Sequence, residues 1–141
     1  METVGFEESA LRRKSDAVTA IYDAAGENHF RLVHDTFHHY LSGEDIYFPD
    51  LTGLVQVSGV ENSGVTVAEM RDEHRVLVGD ADKIGNLRQL YTLLDRGYDG
   101  YASFEPFAGK LAWAEDIEGR LRESIVHIRQ GVRATFISEA T

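Results

Sequence analysis

Two short apolar segments that each end in a carboxylate constrain the fold of this chain most. One segment runs from residue 30 to Asp35, and the other runs from residue 101 to Glu105, directly before Pro106. Strands of parallel α/β sheets have this composition, and such sheets carry their chemistry at the carboxyl ends of the strands. We therefore expect a parallel sheet with an acidic site along one edge.

The pattern between and around these segments predicts alternating helices and strands. Apolar residues at helical spacing indicate a helix over 8–25, with Lys14 off its apolar face and Gly26 as its cap. The other predicted elements are strands at 30–34, 53–59 and 101–105, a short helix around 37–41, a helix at 83–96, and a last helix from Ile117 to near Gly131. Residues 59–82 form the longest irregular stretch, and a loop of this length is usually functional.

Composition limits the classes of protein that fit. A hydrophobic fraction of 43% in 141 residues predicts one folded domain over 1–141. The net charge of −10 gives no electrostatic attraction to nucleic acid. The chain has no cysteine, so a thiolate zinc site is excluded. We see neither a membrane span nor a signal peptide, and expect a cytoplasmic protein that binds neither nucleic acid nor membrane.

Side-chain alternation predicts which polar residues meet. Side chains of successive strand residues point to opposite faces. This phasing places Asp35, Gln56 and Glu105 at matching levels of three strands, and turns His34 toward the helix layer. Oxygen ligands in such positions suit a hard cation such as magnesium or manganese.

Several of these residues have simpler interpretations. Asp35 precedes a predicted helix and is equally well explained as its N-cap. Glu105 has no helix to cap, which favours a role in the site. His38 and His39 could be surface residues, whereas His34 is better explained as a packed, hydrogen-bonded side chain. Residue Arg75 in the long loop contacts either solvent or an anion.

The same segments resemble a known enzyme family. Asp-Thr-Phe-His at residues 35–38 and Glu-Pro-Phe at 105–107 are similar to the ends of the sixth and eighth strands in the sugar phosphate isomerase/epimerase superfamily of xylose isomerase-like (β/α)8 barrels. Residues 54–60 and 74–79 resemble its seventh strand and the following loop, and residues 1–6 resemble the end of its fifth strand. The family includes hydroxypyruvate isomerases, ketose epimerases and inosose dehydratases.

The resemblance implies roles for individual residues. The metal ligands would be Glu2, Asp35, Gln56 and Glu105. The two glutamates would also form the acid/base pair that removes and returns a proton through an enediolate. His38 and Arg75 would hold substrate oxygens.

The chain departs from the family pattern in two ways. The seventh-strand ligand is usually histidine, and Gln56 in its place favours magnesium or manganese over cobalt or zinc. A complete barrel of this type has about 250 residues, so the chain corresponds to the C-terminal half, strands 5–8 with their helices. Because half a barrel leaves sheet edges open, we expect a homodimer or other self-association that completes the barrel.

These features lead to one leading hypothesis and three alternatives. The leading hypothesis is a metal-dependent isomerase or epimerase that acts on a small sugar, sugar phosphate or keto acid. An inosose-type dehydratase would use the same residues. A non-catalytic half-barrel that binds a partner chain is the alternative from another class. A small flavodoxin-like sheet with incidental acids fits the paired motifs least well.

Overall fold

Three parallel strands form the sheet of this protein in the order β1-β2-β3, in a computed structural model that describes residues 1–139. The strands are β1 (Leu32–Asp35), β2 (Thr52–Val57) and β3 (Ala102–Phe104). The helices are α1 (Lys14–Asp23), α2 (Thr36–Ser42), α3 (Asn86–Asp95), α4 (Gly109–Ala112) and α5 (Ile117–Glu139). Short 3-10 helices lie at Pro49–Leu51, Val67–Glu69 and Asp72–His74. The predicted α/β class with parallel strands is confirmed.

The strand register determines which site residues lie side by side. Asp35 is opposite Gln56, and Gln56 is opposite Ser103. The predicted matching level of Asp35 and Gln56 is therefore confirmed. Glu105 lies two residues beyond Ser103. The prediction that Glu105 lies at the same level as Asp35 and Gln56 is therefore wrong by two residues. Glu105 remains on the same face, and its backbone N–H donates to the Val57 carbonyl at 2.9 Å.

The two faces of the sheet differ in burial. On the helix side, Val55 and Val57 are 0% and 2% exposed and pack with Leu90 and Leu93 of α3 and Val132 of α5. On the opposite face Leu54 and Gln56 are only half-buried, and Ser103 is exposed. Parallel sheets are normally covered on both faces. This sheet is covered by helices on one face only.

The first helix is shorter than its pattern predicted. It begins at Lys14 rather than residue 8, and Lys14, which was placed off the apolar face, is buried. Ala25, and not Gly26, takes the left-handed conformation after the helix, with φ of 48°. The Gly26 N–H then donates to the Ile21 carbonyl at 2.8 Å and closes the last turn.

The predicted end of α3 is confirmed, and the predicted end of α5 is wrong. Gly97, with φ of 96°, follows α3 where the sequence placed its stop. The last helix does not end near Gly131 but continues to Glu139. Its second half packs on α3, where Phe136 contacts Tyr91 with ring centroids 4.5 Å apart. This tertiary contact outweighs the low helix propensity of glycine at 131.

A stub of a fourth parallel strand precedes the sheet. Glu2 forms an isolated parallel bridge with Val33, and the Val33 N–H donates to the Met1 carbonyl at 2.8 Å. The backbone around Glu2 thus occupies the place predicted for the strand that precedes β1. Among residues 1–139, no helix is long and apolar enough to cross a bilayer.

Candidate metal and catalytic site

Asp35 has the N-cap role that the sequence offered, and its second oxygen pairs with Arg75. It is the N-cap of α2, where its Oδ1 accepts a hydrogen bond from the His38 backbone N–H at 2.9 Å. Its Oδ2 accepts from Nη2 of Arg75 at 2.5 Å, and the side chain is 1% exposed. One oxygen therefore fixes the strand–helix turn, and the other faces the site.

Arg75 lies at the centre of the cluster. Its side chain is 1% exposed, and Nη2 donates to both Asp35 and Glu105, at 2.5 and 2.7 Å. Its Nε donates to the Ser58 hydroxyl at 3.0 Å, and its Nη1 donates to Asp72 at 3.2 Å. The interpretation of Arg75 as a solvent contact is wrong.

Aromatic rings hold the guanidinium group from two directions. Its Cζ is 5.0 Å from the ring centroid of Phe37 and 4.8 Å from that of Phe107. Both rings belong to the sequence motifs that contain Asp35 and Glu105. Their contribution is to fix Arg75 between the two carboxylates.

Gln56 is part of the same network. Its Nε2 donates to Oε1 of Glu105 at 2.8 Å, so both oxygens of Glu105 are engaged. Its own Oε1 is buried and has no hydrogen-bond partner among the described residues. A buried acceptor of this kind is normally satisfied by a donor or a cation.

Glu2 and His38 complete the group. Ligand-type atoms of Glu2, Asp35 and His38 all lie within 4.8 Å of one another. The structure therefore brings together all six residues that the sequence singled out: Glu2, Asp35, His38, Gln56, Arg75 and Glu105. His38 is 6% exposed, so its interpretation as a surface residue is wrong, and the same holds for His39.

The hydrogen bonds of His38 determine its chemistry. Its Nδ1 accepts the Gly5 backbone N–H at 3.2 Å. Burial, followed by the charge of Arg75, lowers the pKa of His38 to about 4. At neutral pH the ring is neutral and its proton is on Nε2. His38 is therefore a hydrogen-bond donor toward the site rather than a metal ligand, despite its proximity to Glu2 and Asp35.

Negative charge exceeds positive charge in the site. Burial raises the pKa of Glu2, Asp35 and Glu105, and the positive charge of Arg75 opposes this rise in each case. Asp35 and Glu105 are close enough to interact as a hydrogen-bonded pair. Two neighbouring carboxylates share either a proton or a cation. One guanidinium group is too little charge to neutralise three carboxylates.

The donor set fits a divalent cation. Carboxylate oxygens of Glu2, Asp35 and Glu105 and the unpartnered carbonyl oxygen of Gln56 are hard ligands. The fit requires Asp35 and Glu105 to share their oxygens between the ion and Arg75. A carboxylate can do so because each of its oxygens has two lone pairs.

Sequence reasoning missed the residues that hold the site in place. Ser58 and Asp72 orient Arg75, and the Gly5 N–H orients His38. A Cβ atom on Gly5 would lie 2.2 Å from the His38 carbonyl oxygen, so only glycine allows this approach. The position of Gly5 beside Phe6 carried no such signal in one sequence.

Comparison with solved structures places this fold. The chain is similar to a xylose isomerase domain-containing protein from Salmonella typhimurium LT2, with 31% identity and a TM-score of 0.77 over 94% of this chain. It is also similar in fold to the IolI protein, which was solved with a bound zinc atom, with 19% identity and a TM-score of 0.72 over 93% of this chain. No protein-family profile matches the chain, and no curated protein sequence is similar to it.

This chain is covered almost completely in both comparisons, but it spans only about half the length of each of the two proteins. The chain spans 48% of the Salmonella protein and 47% of IolI. Its parallel strands, its single helix-covered face and this half coverage have one common explanation. The chain has the fold of one half of a xylose isomerase-like barrel.

Proposed function

We propose that this half-barrel contributes the acid/base and metal-binding site of an isomerase or epimerase that acts on a small sugar, sugar phosphate or keto acid. One observation carries the proposal: a buried arginine joins Asp35 and Glu105, at 2.5 and 2.7 Å, across β2 from the ends of β1 and β3. Clusters of buried carboxylates with raised pKa values are typical of catalytic sites.

The residues that would hold a cation are Glu2, Asp35, Gln56 and Glu105. When bound, a divalent cation supplies Lewis-acid polarisation of neighbouring substrate oxygens. The all-oxygen donor set favours magnesium or manganese. The zinc atom in IolI supports a divalent metal in this fold without fixing its identity here.

Glu2 and Glu105 are the proposed acid/base pair. Burial, followed for Glu2 by the nearby Glu105 carboxylate, raises their pKa values toward neutral pH, where a group can both accept and return a proton. One carboxylate removes the proton from the carbon next to the substrate carbonyl. For isomerisation the other carboxylate returns a proton to the neighbouring carbon, while the hydroxyl proton passes to the former carbonyl oxygen. For epimerisation it returns a proton to the opposite face of the same carbon.

His38 and Arg75 are the proposed substrate-binding donors. Nε2–H of neutral His38 donates to a substrate hydroxyl or carbonyl oxygen. Arg75 carries a fixed positive charge beside the carboxylates, and its aromatic neighbour Phe107 is 54% exposed. The Arg75 side chain itself is 1% exposed, so a substrate oxygen would reach it only through the second N–H of Nη1, which no described residue accepts.

We further propose that a second copy of this chain completes the barrel. The strand stub at Glu2 and the strand β3 present free edges with the same direction. Tyr101, which directly precedes β3, is 84% exposed. Two copies related by a twofold axis would pair each stub with the partner's β3 and cover the open face.

Proton exchange with solvent tests the proposed chemistry. The protein is incubated with manganese and a panel of small ketoses and keto acids in D2O, and NMR follows deuterium at carbon. An enediolate route incorporates deuterium at the carbon that loses its proton. Glu105→Gln is expected to abolish this exchange, and Glu73→Gln, which removes an exposed carboxylate, is expected to retain it.

Light scattering with metal analysis tests the assembly. A dimer that retains stoichiometric metal supports a completed barrel. A metal-free monomer that exchanges no substrate contradicts the proposal and favours the alternative, a non-catalytic half-barrel that binds a partner chain. Exchange of substrate by a monomer contradicts the second-copy proposal alone.

A further inference from the structure

A second pocket lies on the opposite side of β1 from the carboxylate site. It has a volume of about 640 Å³ and is bounded by α2, the loop after it and α3. Polar and aromatic side chains form its wall, among them His39, Tyr47, Arg88, Thr92 and Arg96. None of these residues takes part in the proposed isomerase reaction.

Cationic side chains line the pocket in an acidic protein: Lys83, Arg88 and Arg96 lie there beside the acids Glu44 and Asp45. The guanidinium groups of Arg88 and Arg96 have no hydrogen-bond or ion-pair partner within the described part of the chain. The nearby Glu44 does not supply one, because its two oxygens accept the backbone N–H groups of Lys14 and Ser15. Lys14 itself lies behind the pocket, with Nζ 5.3 Å from the Tyr47 ring centroid.

Both arginines line the pocket together with Tyr47. Burial raises the pKa of this phenol. The charge of Arg88, a hydrogen bond with Thr92 and the charge of Arg96 oppose the rise, whereas the charge of Asp45 adds to it. Cζ of Arg96 is 5.8 Å from the ring centroid. The pocket therefore combines two cationic groups and a hydroxyl at one place.

The floor of the pocket is rigid. The Tyr47 ring stacks on His34 with a centroid distance of 5.5 Å and an interplanar angle of 16°. The His34 ring is fixed in turn by Lys14 Nζ on Nδ1 at 2.7 Å and by Gln89 Oε1 on Nε2 at 3.0 Å. Because both ring nitrogens are engaged, the orientation of Tyr47 does not depend on a ligand.

A buried polar atom at the wall has no partner. His39 is 6% exposed, and its ring packs against both His34 and Tyr47, with a centroid distance of 4.7 Å to each ring. Its Nδ1 makes no hydrogen bond to the described residues. This nitrogen is covered by protein atoms, so His39 forms part of the wall without a polar contact to an occupant.

We propose that this pocket binds the oxyanion group of a small molecule, either a phosphate or a carboxylate. Arg88 and Arg96 provide charge-assisted hydrogen bonds, and the Tyr47 hydroxyl provides a neutral donor. The site lies behind the sheet, so its occupant does not contact the carboxylate cluster. Binding here is independent of the proposed isomerase function.

Calorimetric titration tests the proposal with inorganic phosphate and, separately, with malonate. Both titrations are done in EDTA at constant ionic strength, so that metal and bulk salt effects are removed. Saturable binding of either anion is expected, and the tighter of the two identifies the group. Arg88→Gln and Arg96→Gln are each expected to weaken it about tenfold, the size of one charge-assisted hydrogen bond.

Matched variants separate this site from the rest of the protein. Arg129→Gln removes an exposed arginine from α5 and should leave the affinity unchanged. Glu105→Gln should also leave it unchanged, because that residue is on the other face. Tyr47→Phe should weaken binding without a change in fold by circular dichroism. Equal affinities in all the arginine variants, or no saturable binding of either anion, overturn the proposal.

Discussion

The two faces of β1 hold opposite electrostatic environments one residue apart. Asp35 faces a cluster of carboxylates around one arginine, whereas His34 faces a buried lysine and a second histidine. Burial raises the pKa of the acids on the first face and lowers the pKa of the bases on the second, so both sets move toward their neutral forms. Ion pairs with Arg75 compensate only part of the charge on the first face, whereas hydrogen bonds hold the groups on the second.

These two environments determine which face of β1 can bind a cation. The carboxylate face has an excess of anionic oxygens and an unpartnered amide carbonyl at Gln56. We call the face of β1 that carries His34 the histidine face. There, both ring nitrogens of His34 are hydrogen-bonded, one to Lys14 and the other to Gln89. A cation is attracted to the first face and repelled from the second. Four predictions follow from this comparison, in order of decreasing effect.

Loss of the Glu105 charge should give the largest effect on activity. Glu105→Gln keeps the shape of the side chain but removes the proposed acid/base group, so we expect turnover to fall by about 10²–10⁴-fold. The midpoint of urea unfolding should change little. Steady-state kinetics with Glu73→Gln as control checks this, and full activity in Glu105→Gln would show that the acid/base assignment is wrong.

Loss of the central cation should give the largest effect on stability. Arg75→Met leaves the buried Asp35 and the half-buried Glu105 without their shared partner, so the free energy of unfolding should fall by about 3–5 kcal/mol. Arg71→Met removes an exposed arginine from the same loop and should cost less than about 1 kcal/mol. Urea unfolding at pH 7 measures both. Equal losses in the two variants contradict the central position of Arg75.

The buried Lys14 on the histidine face should make the stability of the folded protein depend on pH. Burial lowers the pKa of Lys14 from 10.5 to about 7. The unfolded chain therefore holds this proton between pH 7 and 10 while the folded protein releases it, and stability should rise with pH by up to about 1.4 kcal/mol per unit. Below pH 7 Lys14 is protonated in both the folded and the unfolded protein, so the full cost of burying its charge is present there.

Lys14→Met should abolish this rise, because methionine fills a similar volume without a titrating group. Lys110→Met, which removes an exposed lysine, should retain the rise. Unfolding by urea at pH 7, 8, 9 and 10 compares the three proteins. A flat profile in the unmodified protein contradicts the lowered pKa.

The two adjacent histidines of α2 give the smallest and most specific contrast. His38→Ala removes the proposed donor to substrate, so kcat/KM should fall by about 10–100-fold without unfolding. His39→Ala acts on the other face and should change kcat/KM by less than about twofold. Kinetics and circular dichroism of both variants check this. Global unfolding of His38→Ala would assign the residue a structural role.

The site residues could be predicted because each lies in a strong local pattern. Asp35 and Glu105 end apolar strands, Gln56 follows from the alternation of β2, and Glu2 and His38 belong to motifs that resemble a family. Arg75 is a candidate because it lies in a long loop that resembles the loop after the seventh strand of the family. Its pairing with Asp35 joins residues 40 positions apart, and no local pattern encodes such a contact.

The sequence by itself determined the parallel α/β class, the positions of the three strands and the opposite facing of His34 and Asp35. These follow from a period of two along a strand and from apolar runs between turn residues, which are local properties. The tertiary structure alone decided that Lys14 is buried, that α5 continues past Gly131 and that Arg75 links the two acids. Each of these depends on packing between distant segments, where burial and charge partners outweigh local propensity.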